Sequence, residues 1–184
     1  MLIRLKPAMR SKSLSRLTVR RKAGSPTRGW LTAGTFALPV ALGRGSIKAN
    51  KREGDGATPR GVFHPVRLWW RPDRLPRPRT HLPVRRIGPG DGWCEDPKDR
   101  RYNRPVRVAP GSMADRLARA DALYDLIVEI DHNTKPRIAG RGSAVFIHVA
   151  RPGFAPTAGC IALSAPALRR LVARLSRRTR IVVQ

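Results

Sequence analysis

The chain has 184 residues, 41% of them hydrophobic, enough to bury one sizeable core but short for two complete domains. Its 38 Lys and Arg against 12 Asp and Glu give a formal net charge of +26, which favours polyanionic surroundings without choosing between phosphate and carboxylate polymers. The two cysteines, Cys94 and Cys160, form no CxxC and no Cys/His set at ligand spacing, which argues against a structural zinc site.

Residues 1–13 read as a basic N-terminal extension, and residues 14–184 as a single domain. The extension lacks the apolar stretch of about 7 to 15 residues that marks a secretory signal. Arg20-Arg21 is followed by no apolar segment, so it is no twin-arginine signal either. No window reaches the roughly 18 apolar residues of a membrane span. Residues 1–28 carry nine basic residues and no acidic one, a solvated arm with an early strand expected over 15–21.

The 16 Gly and 17 Pro suit short strands joined by turns, so a mainly β fold is expected. Residues 29–43, GWLTAGTFALPVALG, have the apolar content and glycine boundaries of a strand pair. The segment from Glu53 to Pro59, EGDGATP, is a polar glycine-rich turn leading into Gly61-Val62-Phe63. Residues 66–107 hold many prolines and twelve Lys/Arg against five Asp/Glu, which predicts a long Pro/Arg-rich loop insertion. Ser112 followed by Asp115 resembles a capping box and predicts a short helix through about residue 122. The β-branched runs at 126–130 and 144–149 predict buried strands. After Ser164, as a cap, Leu168, Leu171, Val172 and Leu175 recur at helical spacing, with Arg177 and Arg178 near the expected C-terminus. Ile181-Val182-Val183 reads as a closing strand.

A thiol acts as a nucleophile when a base takes its proton and donors await the oxyanion. Gly159 before Cys160 permits a bend that turns successive amides toward one point, and His148 ends a strand twelve residues earlier. A cysteine beside glycine can equally be a small buried hydrophobe, and a strand histidine can be structural; residue type alone does not choose. Both thiols are expected to be free, with Cys94 structural. His64, His81 and His132 show no partner pattern and read as surface or loop residues.

The stretch Ile147-His148-Val149, followed by PTAGCIAL from Pro156 to Leu163, resembles the signature of YkuD-type L,D-transpeptidases, and EGDGATPRG resembles that family's upstream Thr-Pro-x-Gly turn. The resemblance implies a β-sandwich-like catalytic domain with a C-terminal helix. It implies Cys160 as nucleophile, His148 as base, the Val149 backbone carbonyl as orienter of the imidazole, and amides of Ala158, Gly159 and Cys160 as oxyanion hole. The implied reaction runs through a thioester on peptidoglycan stem peptides, and the implied location is periplasm or cell wall. Ala158 and Ala162 replace the usual second histidine and an Arg or Asn, so a 3-3 cross-link, a variant such as 1-3, and L,D-carboxypeptidase or endopeptidase hydrolysis all remain open.

Arg151, Thr157, Trp93, Asp96, Tyr102, Asn103 and Arg104 are the expected substrate contacts, Arg151 for a carboxylate and those from 93 to 104 for a zwitterionic stem-peptide end. Stem peptides and an anionic cell-wall surface are the expected partners, with no metal and no cofactor. The rival class, a basic nucleic-acid-binding protein, lacks a helix-turn-helix, RNP or zinc-finger signature, and its Trp and Tyr form no stacking series.

Overall fold

The computed structural model describes residues 12–108 and 114–184. In chain order the strands are β1 (Arg16–Arg21), β2 (Arg28–Ala33), β3 (Phe36–Ala41), β4 (Ile47–Lys48), β5 (Thr58–Pro59), β6 (Gly61–Phe63), β7 (Pro65–Trp70) and β8 (Val84–Arg86). They continue with β9 (Asp91–Trp93), β10 (Pro105–Arg107), β11 (Asp115–Arg116), β12 (Leu126–Ile130), β13 (Phe146–Val149), β14 (Ile161–Leu163) and β15 (Arg180–Val183). Among the described residues there is one α-helix, α1 (Ala165–Val172), between β14 and β15.

Ten strands make one sheet in the order β6-β15-β1-β2-β3-β14-β13-β12-β7-β8, and β10-β9-β11 make a second, three-stranded sheet. Period-two alternation decides what each face carries. Leu17, Val19, Leu31, Val128, Ile147, Ile161 and Ile181 turn inward to a core closed by Leu168, Leu171 and Val172 of α1. The opposite face of β7, β12 and β13 carries Trp69, Ile127 and Phe146, which pack with Trp93 of the small sheet in a second cluster that includes Cys160. Trp93 meets Phe146 edge to face at 4.9 Å and Trp69 at 6.4 Å. The result is a mainly β, curled and layered fold in which β7, β12 and β13 belong to both cores.

Several expectations change. β7, inside the stretch read as a loop insertion, pairs along its length with β12 because Leu68, Trp69 and Trp70 bury their side chains on both faces. The stretch also holds β8, β9 and β10, and only the connections between these strands are loops. The start of the expected helix at Ser112 lies outside the described residues, and Asp115 is in β11, held by the Tyr124 hydroxyl at 2.9 Å instead of closing a capping box. Turns follow, not helix. α1 begins after Ser164, yet that hydroxyl makes no capping bond; the helix ends at Val172, so Arg169 and Arg170 occupy its last turn and Arg177 and Arg178 lie beyond it. His64 Nδ1 lies 3.3 Å from Asp131, and His132 Nε2 lies 3.1 Å from the Arg141 carbonyl. The basic extension lies outside the described residues except for Lys12 and Ser13. No helix among the described residues is long and apolar enough to cross a membrane.

Candidate active site

The loop before β14 is pinned from three sides. Thr157 exchanges backbone bonds with the segment after β3, donating its N–H to Leu42 and accepting from Arg44, both at 2.9 Å. Its hydroxyl donates to the Cys160 carbonyl at 2.7 Å and accepts from the Gly159 N–H at 3.1 Å, closing the turn on itself. Gly159 has φ 141°, and a Cβ there would stand 2.9 Å from the Ala57 carbonyl oxygen. Glycine is therefore required both by conformation and by contact. Ala57 belongs to the EGDGATPRG turn, and its neighbour Thr58 accepts the Gly43 N–H at 2.9 Å through its hydroxyl. The two sequence motifs are thus parts of one packed unit.

Cys160 is buried, a free thiol like Cys94. Its Sγ accepts the Phe146 N–H at 3.3 Å and donates to the Ala144 carbonyl at 3.2 Å. Ala144 has φ 50°, an uncommon conformation for a residue with a Cβ, and it is held there by its N–H bond to Asn103 Oδ1 at 3.2 Å. Burial pushes the Cys160 thiol up to about 12, and the carboxyls of Asp115 and Glu95 push the same way; the Phe146 amide and Lys51 oppose.

β13 and β14 run parallel with His148 opposite Ala162. Cys160 lies two residues before Ala162, just ahead of β14, and strand geometry sets the His148 and Cys160 Cα atoms about 8 Å apart. His148 Nδ1 lies 2.8 Å from the Val149 carbonyl. A carbonyl only accepts, so Nδ1 carries the proton and Nε2 keeps its lone pair. The imidazole is buried, which pushes its pKa down to about 4 against the opposing pull of the Val149 carbonyl. The Tyr124 ring meets it edge-on at 5.4 Å. The resting pair is therefore neutral thiol and neutral imidazole.

Cys160 and His148 open onto one cavity of about 690 Å³. Arg44, Lys51, Arg119 and Arg151 bring positive charge to its lining, and Glu53, Glu95 and Asp115 bring negative charge. Loss of hydration pushes Glu95 up to about 7, helped by repulsion from Asp115 and Glu53; the residue stays solvent-accessible at the cavity mouth. Lys51 is buried against the turn and bonded to Asp55 at 2.6 Å.

Of the residues singled out from the sequence, His148, Arg151, Thr157, Ala158, Gly159 and Cys160 line this cavity. Trp93, Asp96, Tyr102, Asn103 and Arg104 do not. Trp93 donates its indole N–H to Asn103 at 3.0 Å, and Asn103 donates in turn to the carbonyls of His132 and Asn133. Tyr102 donates to Glu53, which also receives the Ser143 hydroxyl at 2.8 Å. Their polar atoms brace the cavity wall from behind. Asp96 accepts the Lys98 N–H on the far side, and Arg104 is exposed. Residue-type reasoning missed Tyr124, Glu95 and Arg119, which no local pattern marks, and read Asp115 as a capping residue instead of a cavity residue. Glu53 opens the EGDGATPRG turn and Lys51 lies two residues before it, so both were within reach of that motif.

Residues 16–183 match the family model described as YkuD, the L,D-transpeptidase catalytic domain. The chain belongs to that family. Among solved structures it is similar to Mycobacterium tuberculosis L,D-transpeptidase 1, at 14% identity and a TM-score of 0.38, over 91% of this chain and 61% of that one. The chain thus spans about three-fifths of that protein's length. No curated protein matches. The family is associated with the cell wall and acts on peptidoglycan.

Proposed function

We propose that the chain is a cysteine-dependent peptidoglycan L,D-transpeptidase of the periplasm or cell wall, with a single catalytic domain over residues 14–184. The observation that carries this reading is that Cys160, just ahead of β14, and His148, on the adjacent parallel strand β13, line one cavity, with the imidazole held by the Val149 carbonyl.

His148 Nε2 takes the thiol proton as Sγ attacks the carbonyl carbon of the diaminopimelate residue in a donor stem. The neutral resting pair suits this concerted transfer, because no buried thiolate has to be held beforehand. The carbonyl oxygen becomes an oxyanion met by amides of the 158–160 turn. Since the Gly159 N–H is engaged by Thr157, Ala158 and Cys160 are left as its donors. The C–N bond to the terminal D-residue breaks, and the leaving amine takes the proton back from His148, which leaves a thioester. An acceptor amine attacks that thioester, gives its proton to His148, and the proton returns to sulfur.

Ala162 is fully buried between Ala41 and His148, so no polar group acts from there. Arg44 and Arg151 meet substrate carboxylates in its place, and Glu53, Glu95 and Asp115 meet an ammonium group. Incubation with purified muropeptides and mass analysis tests the reading. Cross-linked dimers, lost in Cys160→Ala and retained in Cys94→Ala, are the expected result. Shortened monomers would mean hydrolysis, and unchanged muropeptides beside an active control enzyme would overturn the assignment.

A further inference from the structure

All 12 Asp and Glu lie between Glu53 and Asp131, so β1, β2, β3, α1 and β15 contain none. The half of the large sheet built from these strands and β6 turns Leu17, Val19 and Leu31 into the core and leaves the alternate positions on its reverse face. Strand register arranges that face in rows. Arg16 lies beside Arg180, Arg20 beside Trp30, and Thr18 between Thr32 and Val182, with Val62 next beyond. On the other half of the sheet the same reverse face is covered by the β10-β9-β11 layer. Here Trp30 is 42% and Val62 45% exposed, values that leave room for a partner. At the strand ends the face runs into a cavity of about 460 Å³ lined by Arg20, Arg21 and Arg60. Among the described residues none of Arg16, Arg20, Arg21, Arg60 and Arg180 is in an ion pair, although Arg20 donates through Nε and Nη2 to the Gln184 amide oxygen at 2.6 Å.

We propose that this face docks a linear glycan strand whose attached peptides carry carboxylates, held apart from the reacting stem peptide at the catalytic cavity. A flat sheet face carrying an exposed indole matches the apolar CH face of a sugar ring, whose hydroxyl edges stay in water. Arginines on neighbouring strands, spaced by about 4.8 Å, offer forked donors to carboxylates along the same strand. Cationic charge with no carboxylate partner is what an anionic polymer complements. A second copy of the chain fits poorly, because an acid-free cationic face repels its own image. A nucleic acid single strand calls for successive stacking rings, whereas Trp30 is the sole aromatic among the described residues in these rows. The inference rests on the enzyme reading only for the identity of the polymer. β3 and β14 separate Trp30 from His148 in the sheet, so docking and turnover are separable.

The test uses the full chain carrying Cys160→Ser and measures co-sedimentation with purified peptidoglycan sacculi stripped of attached polymers, with chitin as neutral glycan and a DNA oligomer as rival polyanion. Trp30→Ala is expected to weaken sacculus binding about fivefold to tenfold, and Trp30→Phe to retain most of it. The triple replacement Arg16→Gln, Arg20→Gln, Arg180→Gln should flatten the salt dependence, and chitin should bind weakly throughout. With Cys160 restored, each variant should process soluble muropeptides like the parent chain. Unchanged sacculus binding in both Trp30→Ala and the triple variant would overturn the proposal. So would tighter binding to the DNA oligomer that Trp30→Ala abolishes, or a dimer in sedimentation that Trp30→Ala dissociates. Loss of sacculus binding in these variants, alongside inert muropeptides in the parent chain, would refute the enzyme reading and leave the docking face standing.

Discussion

Thr157→Val separates a structural role for residue 157 from the substrate contact that its position in the motif suggests. Valine keeps the shape of the side chain and removes the hydroxyl that donates to the Cys160 carbonyl at 2.7 Å and accepts from the Gly159 N–H at 3.1 Å. Each lost bond removes roughly 1 kcal/mol, and stranding two backbone groups in a buried turn adds to that, so a loss of roughly 2 to 4 kcal/mol is expected. Urea unfolding reads it, because the midpoint shifts while the slope stays constant. The same turn sets where Sγ sits between the Phe146 amide and the Ala144 carbonyl, so kcat should fall by at least about tenfold while KM stays within about twofold. Thr157→Ser should recover most of both. A stability change below about 0.5 kcal/mol, or a KM that rises at constant kcat, would refute the reasoning and return Thr157 to the substrate contacts.

With its pKa pushed down to about 4, His148 is neutral in the fold at pH values where the unfolded chain already binds a proton, so its contribution to stability is complete above about pH 6.5 and is lost as pH falls toward 4. The difference amounts to about 3 kcal/mol, and His148→Gln should abolish that slope in urea titrations at several pH values; a parallel slope in the variant would contradict it. Gly159→Ala places a Cβ 2.9 Å from the Ala57 carbonyl oxygen at φ 141° and should cost about 1 to 3 kcal/mol, visible as a lowered Tm, with a deeper loss of kcat. Because the Cys160 thiol is pushed up to about 12, iodoacetamide at pH 8 should alkylate it more slowly in the folded protein than in the denatured chain. Faster labelling in the folded state would point to a preformed thiolate.

What could be read from the sequence depended on how far along the chain the deciding partner lies. β12 and β13, expected over 126–130 and 144–149 and found over Leu126–Ile130 and Phe146–Val149, follow from local β-branched content, the apolar face of α1 from its periodicity, and Cys160, His148 and the Thr-Pro turn from short motifs. Asn103 illustrates the opposite case. Its neighbours Trp93 and Tyr102 suggest a polar aromatic contact surface, yet its amide oxygen meets the N–H of Ala144, 41 positions away, and fixes the residue whose carbonyl accepts the Cys160 thiol hydrogen bond. β7 is similar: Arg67 and the prolines around it read as loop until β12 supplies partners for Trp69 and Trp70. The same distance dependence hides the carboxyls of the cavity, since Glu53, Glu95 and Asp115 come from a turn, a loop and a two-residue strand that share no pattern. A motif marks the atoms that react because they must be adjacent at a turn. The groups that brace and surround them are selected by three-dimensional contact, and any residue of the right polarity that the fold delivers to the cavity will serve.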